Sequence, residues 1–463
     1  MSVALIQLPH FYGDNQSRPP ECYPLGLGYI SNSLTDAGIK HKAIDLWRMQ
    51  YTVEEALEKI DFSKFDFLGI SAYVTQYKYL KDFSLELKQR YPHIPIICGG
   101  PGPTFSYQVF LKSTGVDVCV LGEGEVTIAD LLTNFDRLDS IKGIAYVKEA
   151  QVVSTPPREP IADLDQLRFP NRELFDLEAV IATANLVKSG GKNVKANDMR
   201  RSADIIAGRG CPYSCHYCSR TFDGVRLRSI NNLVAEVKEL QTRYRINHLL
   251  FNDELVLVNK KRTLELCEEL KKLGITWSCQ GRINQVDRDI LVAMKEAGCI
   301  EIGYGVESIS QSILDNMNKK LRAETIVPTI KMTQAVGIKP IIQYMYGYPG
   351  ENDETIAASS KFFKDIDHTY IGFTTTPIPG TKLYQDCIKD GLITDDEDYL
   401  MRLDSGYNLT GAIINMTDFN DDEFVQKKLR LAMRVNHNYY KKRPLQYSKA
   451  IFRKLGKLVK KLG

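Results

Sequence analysis

Three cysteines in one short segment are the residues of this chain best suited to chemistry. Cys211, Cys215 and Cys218 have the spacing C-x3-C-x2-C within GRGCPYSCHYCSR. Three thiolates on one tight loop can bind three irons of a 4Fe–4S cube, whereas an electron-carrying ferredoxin normally supplies four. The fourth iron is then open to a ligand, which is typical of a catalytic cluster. Zinc is the alternative, but a closed zinc site needs four ligands. His216 lies inside the loop, where it is poorly placed to be the fourth.

The segment resembles the cluster loop of the radical S-adenosylmethionine enzymes. The resemblance implies that the three cysteines hold the cluster and that its open iron binds the amino and carboxylate groups of S-adenosylmethionine. One electron then cleaves the sulfonium to methionine and a 5′-deoxyadenosyl radical. Tyr217, the aromatic residue before the last cysteine, is placed near the adenine by the same resemblance.

The composition is that of an ordinary globular protein. The 463 residues are 43% hydrophobic and 25% charged with a net charge of +3, which suits two domains plus an appendage and gives no indication of a nucleic-acid partner. No run approaches the roughly 18 apolar residues of a membrane span. The N-terminus shows no secretion signal, and the cysteines outside the cluster loop show no paired spacing, so we expect free thiols in the cytoplasm.

Residues 1–150 alternate continuous β-branched runs with helical patterns. This rhythm predicts an α/β fold in which a doubly wound, Rossmann-like parallel sheet carries helices on both faces. Gly99, Gly100, Gly122 and Glu123 follow predicted strands, at the edge where such sheets bind ligands. Glycines there allow a ligand to approach the backbone closely, although ordinary turn formation also accounts for any one of them.

The same part of the chain resembles the cobalamin-binding domain fused to many radical S-adenosylmethionine enzymes, through YPLGLGYISNSLTDAGI, CGGPGPT and LGEGE. The resemblance implies cobalamin at the glycine loops. Domains that bind cobalt through histidine carry D-x-H-x-x-G after the second strand, but here Trp47 replaces the histidine and Gln50 the last glycine. We therefore expect cobalamin without a histidine ligand, with Trp47 either capping the corrin or filling space. A domain that binds nothing is the alternative.

The remaining chain divides into three parts. Residues 151–200 are rich in proline and charge, which indicates a linker. Residues 201–390 repeat six strand–helix units, which fit a partial (β/α)6 barrel, the fold that the radical S-adenosylmethionine resemblance also implies. The cluster loop follows the first of these strands, at the end of the barrel where chemistry occurs. Residues 391–463 are predicted to be a mostly helical C-terminal region.

Polar side chains at predicted strand ends are further candidates for the site. The resemblance places Arg282, Glu307 and Ser308 around S-adenosylmethionine, where a cation suits the carboxylate and acceptors suit the ribose hydroxyls. The alternative is an Arg282–Glu307 salt bridge within the barrel. Tyr344 and Tyr346, on the fifth strand, are candidate catalytic residues that donate a hydrogen atom or orient substrate, unless they are packed aromatics.

The tail YKKRPLQYSKAIFRKLGKLVKKLG is basic and has no acidic residue. An amphipathic helix there either lies on an anionic membrane surface or docks on the barrel. We therefore expect a cytoplasmic protein, with peripheral membrane contact left open. The family resemblance also implies a small-molecule or lipid substrate and an electron donor of the flavodoxin or ferredoxin type.

The predicted function is that of a radical S-adenosylmethionine enzyme which uses cobalamin to transfer a methyl group to an unactivated carbon. Radical dehydration, rearrangement or cyclisation without cobalamin chemistry is the alternative within the same class. From another class, a cobalamin-sensing or redox-sensing protein would bind these ligands without turnover. The intact cluster loop and the polar residues at the strand ends favour an enzyme.

Overall fold

Two sheets, one in each half of the chain, form the frame of the protein. The structure is a computed structural model that describes residues 1–10, 22–188, 200–222, 224–370, 372–406 and 413–444. The basic tail from residue 445 onward and part of the predicted linker lie outside these residues.

The first sheet is mostly parallel. Its strands are β1 (Ser2–Gln7), β2 (Lys40–Asp45), β3 (Phe67–Ser71), β4 (Ile96–Gly99), β5 (Val118–Val120), β6 (Ile144–Lys148) and β7 (Gln151–Ser154). They lie in the order β2-β1-β3-β4-β5-β6-β7, with β1 to β5 parallel and the last two antiparallel at one edge. The predicted Rossmann-like sheet is therefore confirmed, with an antiparallel extension that the sequence pattern did not indicate.

Helices cover both faces of this sheet. They are α1 (Leu25–Asp36), α2 (Leu46–Met49), α3 (Val53–Lys59), α4 (Tyr77–Arg90), α5 (Pro101–Ser113) and α6 (Gly124–Thr133). Side chains of β1 alternate between the faces: Val3 and Leu5 join a core with α1 and α6, whereas Ala4 and Ile6 join a core with α3, α4 and α5. A strand buried on both faces must be apolar throughout, which explains the continuous run VALI.

Two elements fall inside the range predicted as a linker. β7 extends the first sheet past residue 150, and α7 (Leu177–Lys188) precedes the second sheet. The strand pairs with β6 through main-chain groups, and the sequence signals neither element strongly. In the same region Arg172 forms a buried ion pair at 2.9 Å with Glu236 of the barrel. This connection is therefore packed structure over much of its length.

The second sheet carries the predicted barrel units. Its parallel strands are β8 (Ser202–Ile205), β11 (His248–Phe251), β12 (Thr276–Gly281), β13 (Cys299–Glu307), β14 (Lys339–Tyr346) and β15 (Gly372–Thr374), and the order follows the sequence. Between β8 and β11 lies a short antiparallel hairpin of β9 (Gly208–Arg209) and β10 (Arg226–Leu227). Six sequential parallel strands confirm the partial (β/α)6 barrel.

The barrel helices and the C-terminal helices complete the fold. They are α8 (Ile230–Tyr244), α9 (Lys260–Leu273), α10 (Arg288–Glu296), α11 (Gln311–Asn316), α12 (Ile326–Val336), α13 (Asp353–Asp365), α14 (Lys382–Lys389), α15 (Asp396–Gly406) and α16 (Asp421–Lys441). α15 returns to the first domain, where Glu397 accepts hydrogen bonds from Lys81 and Ser113. Among the described residues, no helix combines the length and the apolar character needed to cross a bilayer.

Candidate active site

A buried carboxylate fastens the start of the cluster loop. Asp253, just after β11, accepts hydrogen bonds from the backbone N–H groups of Ala207 and Gly208, both at 2.7 Å. The chain then turns at Gly210, whose φ of 84° lies in the left-handed region. A Cβ at this position would stand 2.0 Å from the carbonyl oxygen of Gly224, so the entry into the loop requires glycine.

The cluster loop is also held by Asn316–Lys319, which we call the clamp segment. The backbone N–H of His216 donates to the carbonyl of Met317 at 2.9 Å. The side-chain amide of Asn318 donates to the carbonyl and the hydroxyl of Ser214 at 2.8 and 3.0 Å. The clamp segment therefore fixes the backbone of the cluster loop on both sides of Cys215. No motif in the sequence marks it, and sequence analysis missed it.

A buried Lys–Glu–Tyr group lies beside the last cysteine. The ammonium of Lys319 is 3.0 Å from Oε1 of Glu307 and donates to the hydroxyl of Tyr217 at 2.7 Å. That hydroxyl in turn donates to the same carboxylate oxygen at 3.1 Å. Lys319 is only 4% exposed. The structure therefore brings together two residues that the sequence predicted, Glu307 and Tyr217, through a lysine that it did not.

The backbone at Glu307 is unusual for a residue with a side chain. Its φ is 63°, and the register between β13 and β14 shifts between Gly305 and Glu307. A left-handed conformation at a residue other than glycine costs on the order of 1–3 kcal/mol and is concentrated at functional sites. The shift leaves the carboxylate over Gly305, where a Cβ would stand 2.7 Å from Oε1. The glycine thus makes room for the carboxylate inside the barrel.

Arg282 points at the cluster loop. Its Nη1 lies 3.7 Å from Sγ of Cys215, and its guanidinium carbon stands 3.7 Å from the ring centre of Tyr213. Nη2 donates to the carbonyl of Lys319. The salt bridge to Glu307, considered from the sequence, is not the observed pairing, because Glu307 pairs with Lys319.

The other three predicted residues of the barrel have packing contacts. The hydroxyl of Ser308 accepts a hydrogen bond from the N–H of Ser310 at 3.1 Å. Tyr344 packs against the aromatic rings of α13, and its hydroxyl lies 2.6 Å from that of Ser359. Tyr346 donates to the carbonyl of Phe424 in α16 at 2.9 Å.

Both tyrosines therefore lie on the helix side of β14. Gln343 is on the other side, because its Oε1 lies 3.7 Å from a Cβ built on Gly305, next to Glu307 and Lys319. The strand alternates its side chains, so the tyrosines at even-numbered positions face away from the barrel interior. The structure therefore does not bring Tyr344 and Tyr346 to the cluster loop, and their contacts are those of the packed aromatics that the sequence left open as the alternative.

A cavity of about 560 Å³ lies between the two domains. From the first domain it is lined by Gly99, Gly100, Gly122 and Glu123, all predicted from the sequence, and by Trp47. From the barrel it is lined by β9 with the glycine after it and by the residues that follow β11: Gly208, Arg209, Gly210, Asn252, Asp253 and Glu254. The cavity therefore opens from the loops of the first sheet directly onto the mouth of the barrel.

Part of this cavity is apolar, and we call it the apolar slot. Its lining comes from the first sheet and from helices α1 and α6: Leu5, Leu27, Ile30, Gly69, Ile97 and Ile128. A side chain at Gly69 would approach Leu5 to 3.3 Å, so glycine leaves more room there. This lining suits a partly apolar ligand.

Trp47 lines the cavity and is 7% exposed. Its ring contacts that of His10, with centroids 4.6 Å apart, and His10 in turn lies 5.5 Å from the ring of Tyr73. Burial lowers the pKa of His10 to about 4, which keeps the imidazole neutral near pH 7. The three rings, one from the end of each of β1, β2 and β3, form an aromatic floor on this side of the cavity.

Glu123 does more than line the cavity. It forms buried ion pairs with Arg209 and with Arg226, the latter at 2.9 Å, and Arg209 also pairs with Glu125. The carboxylate predicted to bind a cofactor therefore ties the glycine loop after β5 to β9 and β10, the two short strands on either side of the cluster loop.

Comparison with known proteins agrees with this division of the chain. The family model described as the Radical SAM superfamily matches residues 205–363, and the one described as the B12 binding domain matches residues 15–132. The chain therefore carries a radical S-adenosylmethionine domain and a B12-binding domain. It is an enzyme, as the cluster loop predicted.

Several relatives of this radical S-adenosylmethionine enzyme align over most of its length. An uncharacterised methyltransferase of Pyrococcus horikoshii is 28% identical over 80% of this chain and 79% of its own. The anaerobic magnesium-protoporphyrin IX monomethyl ester cyclase of Rubrivivax gelatinosus is 28% identical over 86% of this chain and 72% of its own. The cytidylyl-2-hydroxyethylphosphonate methyltransferase of Streptomyces wedmorensis is 24% identical over 93% of this chain and 88% of its own.

Two solved structures share the fold. The methyltransferase TsrM from Kitasatospora setae, with cobalamin and a 4Fe–4S cluster bound, has a TM-score of 0.64 and 17% identity over 84% of this chain and 75% of its own. The cobalamin-dependent enzyme OxsB, with aqua-cobalamin and S-adenosylmethionine bound, has a TM-score of 0.64 and 20% identity over 87% of this chain and 56% of its own. At these identities the likeness establishes the fold.

The residues present fit the three expected cofactors. Across the described residues no three His, Cys, Asp or Glu side chains converge on one point as the ligands of a single metal ion do. A cube places each cysteine on a different iron, and the half-buried Cys211 and Cys215 and the exposed Cys218 share one loop for that purpose. The Lys319–Glu307 pair suits a zwitterion. The interdomain cavity, with its strand-end glycines and its apolar slot, suits cobalamin. The described residues are therefore compatible with a 4Fe–4S cluster, S-adenosylmethionine and cobalamin as cofactors.

Proposed function

We propose that this enzyme transfers a methyl group to an unactivated carbon of a small molecule or lipid. Cobalamin, when bound, supplies the methyl group, and the cluster with S-adenosylmethionine supplies the radical that removes a substrate hydrogen. Methyltransferases stand among the relatives that align over most of the chain. The proposal extends methyl transfer to this chain without naming its substrate.

One observation carries the proposal: a single cavity is lined by both domains. The loops of the first sheet and the mouth of the barrel share it, with Trp47 and Gly100 on one side and Asn252 and Glu254 on the other. A methyl donor held on the first domain would face a substrate at the barrel mouth with no wall between them. Transfer between two reacting groups requires this proximity, which can lower a barrier by roughly 7–11 kcal/mol.

The residues around the cavity have separable tasks in this proposal. The three cysteines hold the cluster, and Glu307, Ser308 and Arg282 remain proposed neighbours of S-adenosylmethionine, with Tyr217 near the adenine. Gly99, Gly100 and Gly122 would allow cobalamin to approach the backbone closely, and the residues of the apolar slot would line the rest of its site. Trp47 and the other rings of the aromatic floor leave the cobalt without a histidine ligand from the second strand.

The proposal is tested by measuring the two products that S-adenosylmethionine can give, one from radical cleavage and one from methyl loss. The protein is reconstituted anaerobically with iron and sulfide, with and without cobalamin, and supplied with S-adenosylmethionine and dithionite. Mass spectrometry then measures 5′-deoxyadenosine, the product of radical cleavage, and S-adenosylhomocysteine, the product of methyl loss. We expect both products with cobalamin and only deoxyadenosine without it.

A matched pair of cysteine variants controls this experiment. Cys215→Ala should hold less iron and release no deoxyadenosine, whereas Cys267→Ala, at a buried thiol in α9 outside the cluster loop, should behave as the wild type does. Deoxyadenosine release by Cys215→Ala would contradict the cluster assignment. Tight cobalamin binding with neither product would favour a sensing role instead.

Ring formation is the second candidate, because a cyclase is as similar to this chain as the first methyltransferase is, at 28% identity. It predicts deoxyadenosine without cobalamin-dependent S-adenosylhomocysteine in the same assay. Radical dehydration or rearrangement predicts the same pattern, and the mass of the substrate product separates the three.

The proposal includes a cytoplasmic location and an electron donor of the flavodoxin or ferredoxin type. A second cavity opens at Cys215 and Cys218 and is bordered by Arg220 and Lys382, which suit the acidic surface of such a donor. Peripheral membrane contact through the tail rests on sequence alone. Sedimentation of the full chain, and of a chain ended after residue 444, with anionic phosphatidylglycerol vesicles would test it.

A further inference from the structure

Glu123 lines the interdomain cavity, but groups of the protein already occupy its carboxylate. Oε1 accepts hydrogen bonds from Arg209 at 2.5 Å and from Arg226 at 2.9 Å. Oε2 accepts from Arg226 at 2.9 Å and from the backbone N–H of Ile161 at 2.6 Å. The side chain is only 9% exposed. Because a carboxylate accepts about four hydrogen bonds, this one has no place left for a cofactor, and its task is to hold the two arginines.

The two arginines stand at the two ends of the segment that carries the cluster cysteines. Arg209 in β9 and Arg226 in β10 are direct partners in the antiparallel pairing of these strands. Both guanidinium groups lie over the ring of Phe222, at 5.5 and 5.8 Å from its centre. Like charges directly opposite each other destabilise a strand pair. The hairpin that closes the cluster loop therefore depends on a counter-charge, and Glu123 of the first domain supplies one to both arginines.

The backbone around Glu123 belongs to the loops that line the cavity proposed for cobalamin. The backbone N–H of Gly122 donates to the hydroxyl of Thr104 at 3.1 Å, which joins the loop after β5 to helix α5. That helix begins directly after Gly100, a second residue of the cavity lining. The next residue along it, Phe105, lines the second cavity beside two of the cluster cysteines. The loops after β4 and β5 are therefore bonded to each other, and both lead to the cluster loop.

We propose that Glu123 is a positioning residue that couples the two cofactor sites, so that cobalamin and the cluster each bind more tightly when the other is present. Cobalamin would restrict the glycine loops of the first domain, and the cluster would restrict the segment between β9 and β10. Because Glu123 joins these two parts of the chain, the second cofactor has fewer groups left to order than the first. The inference rests on the binding of both cofactors and is independent of the reaction that they perform.

The test measures the affinity for cyanocobalamin in two forms of the full chain. One form holds the cluster after anaerobic reconstitution, and the other has been stripped of iron by a chelator. Equilibrium dialysis without S-adenosylmethionine or reductant gives the two dissociation constants, and their ratio is the coupling factor. For the wild type we expect a coupling factor of roughly 5-fold to 150-fold. In Glu123→Gln, which has no charge to offer the two arginines, the factor should fall toward unity.

A second variant and a matched control complete the experiment. Arg226→Gln breaks the same contact from the barrel side, while Arg209 keeps both of its carboxylate partners, and the coupling factor should fall here too. Lys81→Met is the control, because it removes a different partly buried ion pair of the first domain, with Glu397 of α15. This pair involves neither the glycine loops nor the cluster loop, so the control should keep the wild-type factor. Circular dichroism checks that each variant is folded.

The outcomes separate this inference from the proposed function. Equal cyanocobalamin affinity of the two wild-type forms would overturn it, as would a coupling factor that survives in both Glu123→Gln and Arg226→Gln. An equal fall in Lys81→Met would assign the coupling to domain contact in general and remove the role of Glu123. If neither loop variant folds, Glu123 is a structural residue and the inference falls. Methyl transfer without coupling would leave the proposed function intact, whereas a wild type that binds no cobalamin would count against both.

Discussion

Removing one buried guanidinium at the domain boundary should destabilise the protein strongly. Arg209 pairs with Glu123 and Glu125, and all three side chains are at most 9% exposed. Glu123 keeps a second partner in Arg226, but Arg209 is the ion-pair partner that the structure gives Glu125. Arg209→Met therefore leaves a buried carboxylate without its counter-charge, which costs about 3–5 kcal/mol.

A double variant separates the cost of the unpaired buried carboxylate from the cost of the lost packing. Arg209→Met combined with Glu125→Leu removes both members of the pair, and replacing a buried ion pair by apolar groups is often close to neutral. The double variant should therefore be more stable than Arg209→Met alone. The control is Lys260→Met, which removes an exposed pair with Asp287 at 2.8 Å and should cost about 0–1 kcal/mol.

Guanidinium unfolding of the iron-free protein measures these differences without counting the loss of the cluster. The chain has two tryptophans, Trp47 in the first domain and Trp277 in the barrel, so fluorescence reports on both halves together, and circular dichroism supplies a second probe. If the unfolding transitions seen by different probes coincide, a single free energy of unfolding describes the protein. A cost below about 1 kcal/mol for Arg209→Met, or a double variant less stable than the single one, would refute the reasoning.

Three further predictions follow from the same contacts. The electron paramagnetic resonance spectrum of bound cob(II)alamin should show no nitrogen splitting, and a splitting that disappears in His10→Phe would contradict this. Burial raises the pKa of Asp253 to about 7, so the free energy of unfolding should fall as pH rises from about 4 to about 7 and level off above; Asp253→Asn should flatten this slope in denaturant titrations. Tyr344→Phe and Tyr346→Phe should each cost about 1 kcal/mol of stability and leave deoxyadenosine formation unchanged, and loss of that product with iron retained would restore their catalytic role.

The fold could be predicted because its signals are local and periodic. Continuous apolar runs such as VALI mark strands buried on both faces, and the intervening helical patterns fix a parallel order. The same reasoning missed β7, because Gln151–Ser154 is a half-exposed edge strand that pairs through main-chain groups. It also left open whether Tyr344 and Tyr346 take part in the site or pack against helices, since an aromatic residue in a strand does not indicate which side of the sheet it lies on.

The site could be predicted only where its residues are contiguous. Cys211, Cys215 and Cys218 share one loop, so their spacing alone describes the ligand geometry. Glu307 was found as a strand-end carboxylate, but its partner is a lysine in a loop beyond α11, and no sequence pattern relates them. Their meeting depends on a left-handed φ at Glu307 and on the hydrogen bonds of the clamp segment. Tertiary packing decides which charged residues on separate loops form ion pairs. A sequence can therefore mark a charged residue as ligand-binding, but the structure is needed to show which residue of the protein already pairs with it.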